Sequence, residues 1–335
     1  MMRPIPLIYR ANLTPAIALL DEIGAPTAKL LRYVGIFTLD HQPSGYLPLR
    51  STWAFLLNAA GAEGLWDLGF RIAERVRVAR AGRWGPRVAG AVTLRHAIQT
   101  MSDWIRLDMP EVRIGLEKRA TRHWFWREHR PDRRHLPGYY VGEQYMLGLM
   151  LEIVRKAEGP DWLPHRVEVE ASARDWAGKR PEVLGEAIIE FGAARTAIEL
   201  PPGSLDRRLP SPDSDLALDL SSDFGELPAA NLRGSLHQAL RSVVCEQELS
   251  LALGAKLSCV SERSLQRFLA DEGTSWREVV DRVHLETALD LMGERTNSLA
   301  DIAATLGYSQ YPHFYRAFQR WTGESPSAYM KRLDS

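Results

Sequence analysis

Cysteine is nearly absent: two in 335 residues, Cys245 and Cys259, and none in the first 244. Two thiols at that spacing build neither a disulfide framework nor a zinc site, and group transfer through a reactive cysteine cluster is excluded upstream. A reducing, cytoplasmic setting is expected. No apolar run approaches 18 residues, and the opening MMRPIPLIYRANL lacks an unbroken apolar core of signal length, so no membrane partner or secretory leader is expected. No G-x-S-x-G, P-loop or G-x-G-x-x-G occurs. His123, His129 and His135 suit neither one helix face nor a zinc pattern, and Glu143 with its neighbouring tyrosines makes no catalytic set. No enzyme, metal or cofactor is expected. Net charge is also missing, with 42 Lys/Arg against 42 Asp/Glu, which in bulk argues against a chain held on DNA by charge alone.

Charge is present locally. Residues 71–135 hold 16 Lys/Arg and 7 Asp/Glu, while 160–227 hold 7 and 14. Solvated faces that pair with each other are the plain reading, and a basic surface for an anionic ligand is the sharper one. Proline, glycine, serine and aspartate crowd residues 201–228, which argues against a continuous helix. The division read from this is a domain over 1–220, a linker over 221–230 and a second domain over 231–335.

In the first domain Thr14 reads as a cap with Pro15 behind it, followed by helices over 49–60, 65–78 and 93–107. Val112, Ile114 and Leu116 alternate with polar residues, as does the run around Trp124 and Trp126, giving a hairpin. A helix over 142–156, a strand at HRVEVEAS, a short helix over 182–190 and a strand at RTAIEL complete an α+β domain.

The second domain reads as all-α. A short helix and tight turn lead to a helix capped by Ser261, with Leu265, Phe268 and Leu269 inward and Arg263, Gln266 and Arg267 on the open face. The design recurs about 45 residues on: a capping box of Ser298 and Asp301, a turn at Gly307, then Phe314, Ala317 and Phe318 inward with Tyr311, His313, Tyr315 and Arg316 more open. Between them Ser275 and Glu278 form a capping box for a 19-residue helix, 275–293, of roughly 28 Å. That approaches the ~34 Å between successive major-groove faces of B-DNA. Two helix-turn-helix units joined by a long helix are expected, held over neighbouring grooves.

These blocks resemble the DNA-binding domain of the AraC/XylS family of bacterial transcription regulators. The likeness rests on AKLSCVSERSLQR (255–267), DIAATLGYS (301–309) and FYRAFQRWTGESPSAY (314–329). It implies that Arg263, Gln266 and Arg267 face base edges from one recognition helix, and Tyr311, Pro312, His313 and Arg316 from the other. Cys259 departs from the family's turn glycine, and Pro312 lacks a backbone donor, which a first helical turn tolerates. By their chemistry, Arg263 or Arg267 can pair with guanine O6/N7 and Gln266 with adenine N6/N7. Arg316 and His313 suit bases or phosphates, and Tyr311 a hydroxyl or methyl contact. Backbone N–H groups near Ser261 and Gln310 suit phosphates. The competing role for the arginines is surface ion pairing with Glu262, Asp271 or Glu272. Phe318 and Trp321 read as core.

The first domain resembles the arabinose-binding type of sensing domain of the same family, through its opening helices and PEVLGEAIIEFGAARTAIEL followed by LDRRLP. Eight of ten tryptophans lie there. Aromatic-lined cavities suit small apolar or aromatic ligands, and Trp124, Trp126, Tyr139, Tyr140 and Tyr145 are the candidate lining. The resemblance implies operator DNA, a small-molecule effector, a second copy of the chain and RNA polymerase as partners. Two rival readings are a metabolite-binding protein or enzyme with a helical interaction tail, and a constitutive DNA-binding dimer without effector. Counted alone, residues 231–335 carry 12 Lys/Arg and 13 Asp/Glu. Binding to DNA must then rest on where the arginines sit, with weak non-specific affinity and a shallow salt slope.

Overall fold

A computed structural model describes residues 4–36, 45–130, 134–210, 226–245, 248–258 and 260–333. The elements run β1 (Leu7–Tyr9), α1 (Thr14–Glu22), α2 (Thr27–Tyr33), β2 (Tyr46–Pro48), α3 (Leu49–Glu63), α4 (Leu68–Arg75), α5 (Gly85–Ala89), α6 (Leu94–Asp108), β3 (Val112–Arg119), β4 (Arg122–His129), α7 (Tyr139–Glu158), β5 (Arg166–Val169), β6 (Ile188–Phe191) and β7 (Thr196–Leu200). Seven helices follow among the described residues: α8 (Leu232–Arg241), α9 (Leu251–Ser258), α10 (Glu262–Asp271), α11 (Trp276–Gly293), α12 (Leu299–Thr305), α13 (Tyr311–Thr322) and α14 (Pro326–Leu333). The chain forms two compact units. One joins Leu7–Val34 with Leu49–Leu227; the other is built on Pro228–Ser335 and takes in the described parts of Met1–Pro6 and Gly35–Pro48. The expected linker, 221–230, lies in part outside the described residues, as do 211–220 before it.

The first unit pairs a helical layer with a five-stranded sheet of order β3-β4-β7-β5-β6. All its pairs are antiparallel except β5–β6. Strand alternation gives the sheet two unlike faces. Val112, Ile114, Phe125, Arg127, Thr196 and Ile198 are buried on one, which the register places together. The other carries Glu117, Arg119, Trp124, Trp126 and Glu199. Helix α7 is buried along most of its length, as expected for a helix apolar on nearly every side. It packs closely on α4 because Gly148 has no side chain: a Cβ there would lie 2.4 Å from that of Ala73.

Several local expectations change. Thr14 is the first residue of α1 and caps nothing with its side chain, because a 3-10 turn over Arg10–Leu13 runs directly into the helix and its N–H bonds Ala11 O. Residues 182–190 are not a helix. A 3-10 turn over Glu182–Leu184 ends at Gly185, whose φ of +51° breaks it, and the β-branched Ile188 and Ile189 continue as β6 beside β5. The helix expected over 65–78 is shorter, Leu68–Arg75, and that over 142–156 is longer, Tyr139–Glu158. Thr93 caps α6, accepting from the His96 N–H.

In the second unit, α8 packs on α11, and Leu232, Leu236, Val283, Ala288, Phe314 and Phe318 are buried in its core. Ile5 donates its buried N–H to Ser235 Oγ at 2.8 Å, and β2, with Tyr46 and Leu47 buried, packs on the same helix. No helix among the described residues is long and apolar enough to cross a membrane.

Candidate functional site

Helices α10 and α13 begin with different chemistry. Ser261 caps α10, its Oγ accepting the Ser264 N–H at 3.2 Å. Gln310 precedes α13 in extended conformation without a side-chain cap bond. Tyr311 and Pro312 are the first two residues of α13, so the missing proline N–H is one that no helical carbonyl would have received. Gly307 supplies the left-handed residue (φ +79°) between α12 and α13. The corresponding position before α10, Cys259, lies outside the described residues.

Leu265 and Leu269 anchor α10 inward and Phe268 is half-buried, while Phe314, Ala317 and Phe318 anchor α13. Their amphipathic spacing leaves Ser261, Arg263, Gln266, Arg267, Gln310, Pro312, His313 and Arg316 exposed and Tyr311 partly so. Trp321 is half-buried against Phe318 and His284. His284 sits between the Tyr308 and Trp321 rings, and burial lowers its pKa, so it behaves as a neutral packing residue.

Several carboxylates of this unit are committed elsewhere, while Glu262 and Asp271 on α10 pair with no arginine among the described residues. Glu272 accepts the Leu232 and Arg233 N–H groups at the start of α8. Glu278 and Asp301 complete the two expected capping boxes. Asp281 holds Arg320 at 2.8 Å, Glu286 holds Arg282 at 2.8 Å, Asp290 pairs with Arg241, and Glu324 holds Arg332 at 2.9 Å. Arg263, Arg267 and Arg316 form no ion pair among the described residues. Sequence reasoning passed over Lys256 on α9, which is exposed and equally unpaired.

In the other unit four arginines tie the basic and acidic stretches of the sequence together. Arg95 meets Asp206, Arg119 meets Glu168, Arg122 meets Glu199 and Arg134 meets Glu170. A polar cluster lies wholly inside. Glu143 accepts the Glu170 and Ala171 N–H groups at 2.7 and 3.0 Å and the Thr196 hydroxyl. Fully buried Arg127 donates to Tyr139 Oη at 3.3 Å. Burial pushes the Glu143 carboxyl pKa up while the Arg127 charge opposes it.

The candidate effector residues separate. Trp124 and Trp126 lie on the face carrying Glu117 and Glu199, under the guanidinium groups of Arg119 and Arg195 at 4.7 and 4.8 Å. Tyr140 is half-buried on α7. Tyr145 lines an internal void of about 30 Å³, and Tyr139 packs edge-on against two other residues of its wall, Trp53 and His129. Leu13, Ala16, Leu56, Ile72, Met109 and Met146 supply the apolar wall; Asn12 and Thr52 add polar groups. The helical periodicity signalled neither Asn12, which lies in the 3-10 turn before α1, nor Trp53 on α3, which stood out only as one of the eight tryptophans of the first domain.

A helix-turn-helix family model matches residues 255–332, and a model described as the arabinose-binding domain of AraC transcription regulator, N-terminal, matches 24–209, more than half of the chain. HTH-type transcriptional regulator VqsM of Pseudomonas aeruginosa is 36% identical over 104 residues, so the match spans 31% of this chain and about a third of that relative's length (32%). An uncharacterized HTH-type transcriptional regulator of Mycobacterium tuberculosis is 24% identical with 93% of each chain covered. HTH-type transcriptional regulator VirS of Mycobacterium tuberculosis is 22% identical with 96% of each covered. The chain belongs to the AraC family of transcription regulators, its helix-turn-helix segment following an N-terminal domain of the arabinose-binding type.

Proposed function

We propose that the protein is a sequence-specific DNA-binding transcription regulator whose N-terminal domain senses a small apolar or aromatic molecule. The domain boundaries are 1–220 and 231–335 with a linker between. Helices α9–α10 and α12–α13 act as two helix-turn-helix units, and α11, 18 residues or about 27 Å long, spaces their recognition helices α10 and α13 over neighbouring major grooves. Arg263, Gln266 and Arg267 read bases from the first; Tyr311, His313 and Arg316 read bases or hold phosphates from the second, with Pro312 shaping its first turn. Backbone N–H groups at Ser261 and Gln310 hold phosphates. The effector acts by binding one domain arrangement better than another. The protein works in the cytoplasm, as a homodimer at its operator, with RNA polymerase as a further partner.

One observation carries this reading. Arg241, Arg282, Arg320 and Arg332 are ion-paired, whereas the three arginines on the open faces of α10 and α13 are exposed and unpaired. Unpaired guanidinium groups at helical spacing, with a neutral unit behind them, suit operator readout better than bulk attraction. The test is a gel shift with the DNA upstream of the protein's own gene against random DNA at moderate salt. Sequence-preferring binding is expected; equal binding to both sinks the reading.

A further inference from the structure

The void lined by Tyr145 combines three properties. No Asp, Glu, Lys or Arg lines it. Apart from Asn12, Thr52 and the His129 ring its wall is hydrocarbon, aromatic or thioether, closed on one side by the Trp53 indole, which lies on α7 where Gly142 leaves room: a Cβ there would sit 2.7 Å from Trp53 Nε1. And the Tyr145 hydroxyl, on a side chain only 8% exposed, has no hydrogen-bond partner. An orphaned buried hydroxyl is costly, and native interiors rarely keep one without a reason.

We infer that this void is the effector site of the N-terminal domain and takes a small uncharged molecule, mostly hydrocarbon or aromatic, whose single oxygen accepts a hydrogen bond from the Tyr145 hydroxyl. This rests on the sensing role proposed above. The direction of the hydrogen bond follows from the surroundings. Burial and the negative field of Asp108 and Glu152 hold the phenol protonated, so it presents a proton. The same field, and the absence of a lining cation, disfavours a carboxylate ligand, whose charge would be buried unpaired. Asn12, whose side-chain N–H donates to Tyr9 O at 3.0 Å, adds a polar group to the same wall. The void has room for about one water-sized group, so a ring enters only as the wall yields. Met109 and Met146 are the unbranched side chains that can re-pack to admit it. Occupancy thus selects an expanded state of the helical layer, which is the kind of differential binding a sensor needs.

The full-length protein, free of DNA, is titrated with phenol, toluene and benzoate by calorimetry, with thermal melting alongside. Phenol should bind more tightly than toluene, and benzoate should not bind. Tyr145→Phe should weaken phenol about ten-fold, to the level of toluene, while leaving toluene unchanged, which also shows the variant is folded. Ala16→Val, which overfills the void, should abolish both. Absence of saturable phenol or toluene binding by the wild type assigns the void to a buried water and overturns the inference; so does equal phenol binding by wild type and Tyr145→Phe. Operator affinity is measured separately. Phenol binding through Tyr145 with no change at the operator supports the site and defeats the sensing role. An operator response to another compound that persists in Tyr145→Phe and Ala16→Val supports sensing and overturns the site.

Discussion

Arginine does different work at two places in the molecule, the interior and rim of the first unit and the open faces of α10 and α13. In the first unit Arg127 is fully buried against Tyr139 and Thr196, and Arg95, Arg119, Arg122 and Arg134 each meet a carboxylate. In the second, Arg263, Arg267 and Arg316 are exposed and unpaired, although acids slightly outnumber bases across 231–335. Total charge is therefore a poor guide to a DNA-binding surface. What matters is which carboxylates are already used as caps and helix-to-helix ties, and which guanidinium groups they leave over.

The contrast can be broken most severely from inside. Arg127→Ala strips buried Glu143 of the cation that opposes its desolvation, while Glu170 keeps its pair with Arg134. The expected loss is about 3–5 kcal/mol, on the order of 10 °C in the melting temperature of the first unit. Thermal or urea unfolding checks this, and a variant within about 1 kcal/mol of wild type would show the cluster to be dispensable.

Next is Asp108, fully buried, whose carboxyl accepts the Arg83 N–H at 2.8 Å and is pushed up to about 6 by desolvation. Because its folded pKa exceeds the ordinary 3.8, the native state holds the proton more tightly than the unfolded chain. The stability this contributes is complete below about 4 and is lost as pH rises through about 6. Wild type should therefore gain stability, by about 1–3 kcal/mol from this group, on going from pH 7.5 to pH 4.5. Asp108→Asn should flatten that part of the profile, and an unchanged profile would assign it to other groups.

Arg267→Ala tests the other side of the comparison. Operator affinity should fall by about 1–3 kcal/mol, concentrated at particular base pairs, with melting unchanged. Uniform weakening across operator variants would instead make Arg267 a phosphate contact. Random-DNA binding should show the shallow salt slope of a few neutralised phosphates; a slope near that of ten would contradict the proposed reliance on placement. Smallest of all is Arg95→Ala. Its pair with Asp206 is exposed at 3.1 Å, so its loss should cost under about 1 kcal/mol and leave operator binding untouched.

The second unit was legible because its signals are local. Caps at Ser261, Ser275 and Ser298 depend on residues three apart, and inward Leu265, Leu269, Phe314 and Phe318 follow the helical period, so spacing alone places them. The first unit was less so. Alternation around Trp124 and Trp126 located β4 and put both on one face, but alternation cannot say which face meets the helices. The register with β7 decided that, turning Phe125 and Arg127 inward and leaving the tryptophans beneath arginines. Residues 188–190 read as part of a helix because a short apolar run fits either period; pairing with β5 resolved it.

By itself, then, the sequence determined the helices of residues 231–335, their caps and their open faces, since these follow from interactions within one or two turns. It also carried the family. Only the tertiary structure decided which arginines remain unpaired and which aromatic residues reach the void. It also decided that Pro4–Pro6 and Tyr46–Pro48 pack with the unit built on 228–335. Each of those depends on residues far apart in the chain being brought together by burial, and no local spacing records such a meeting.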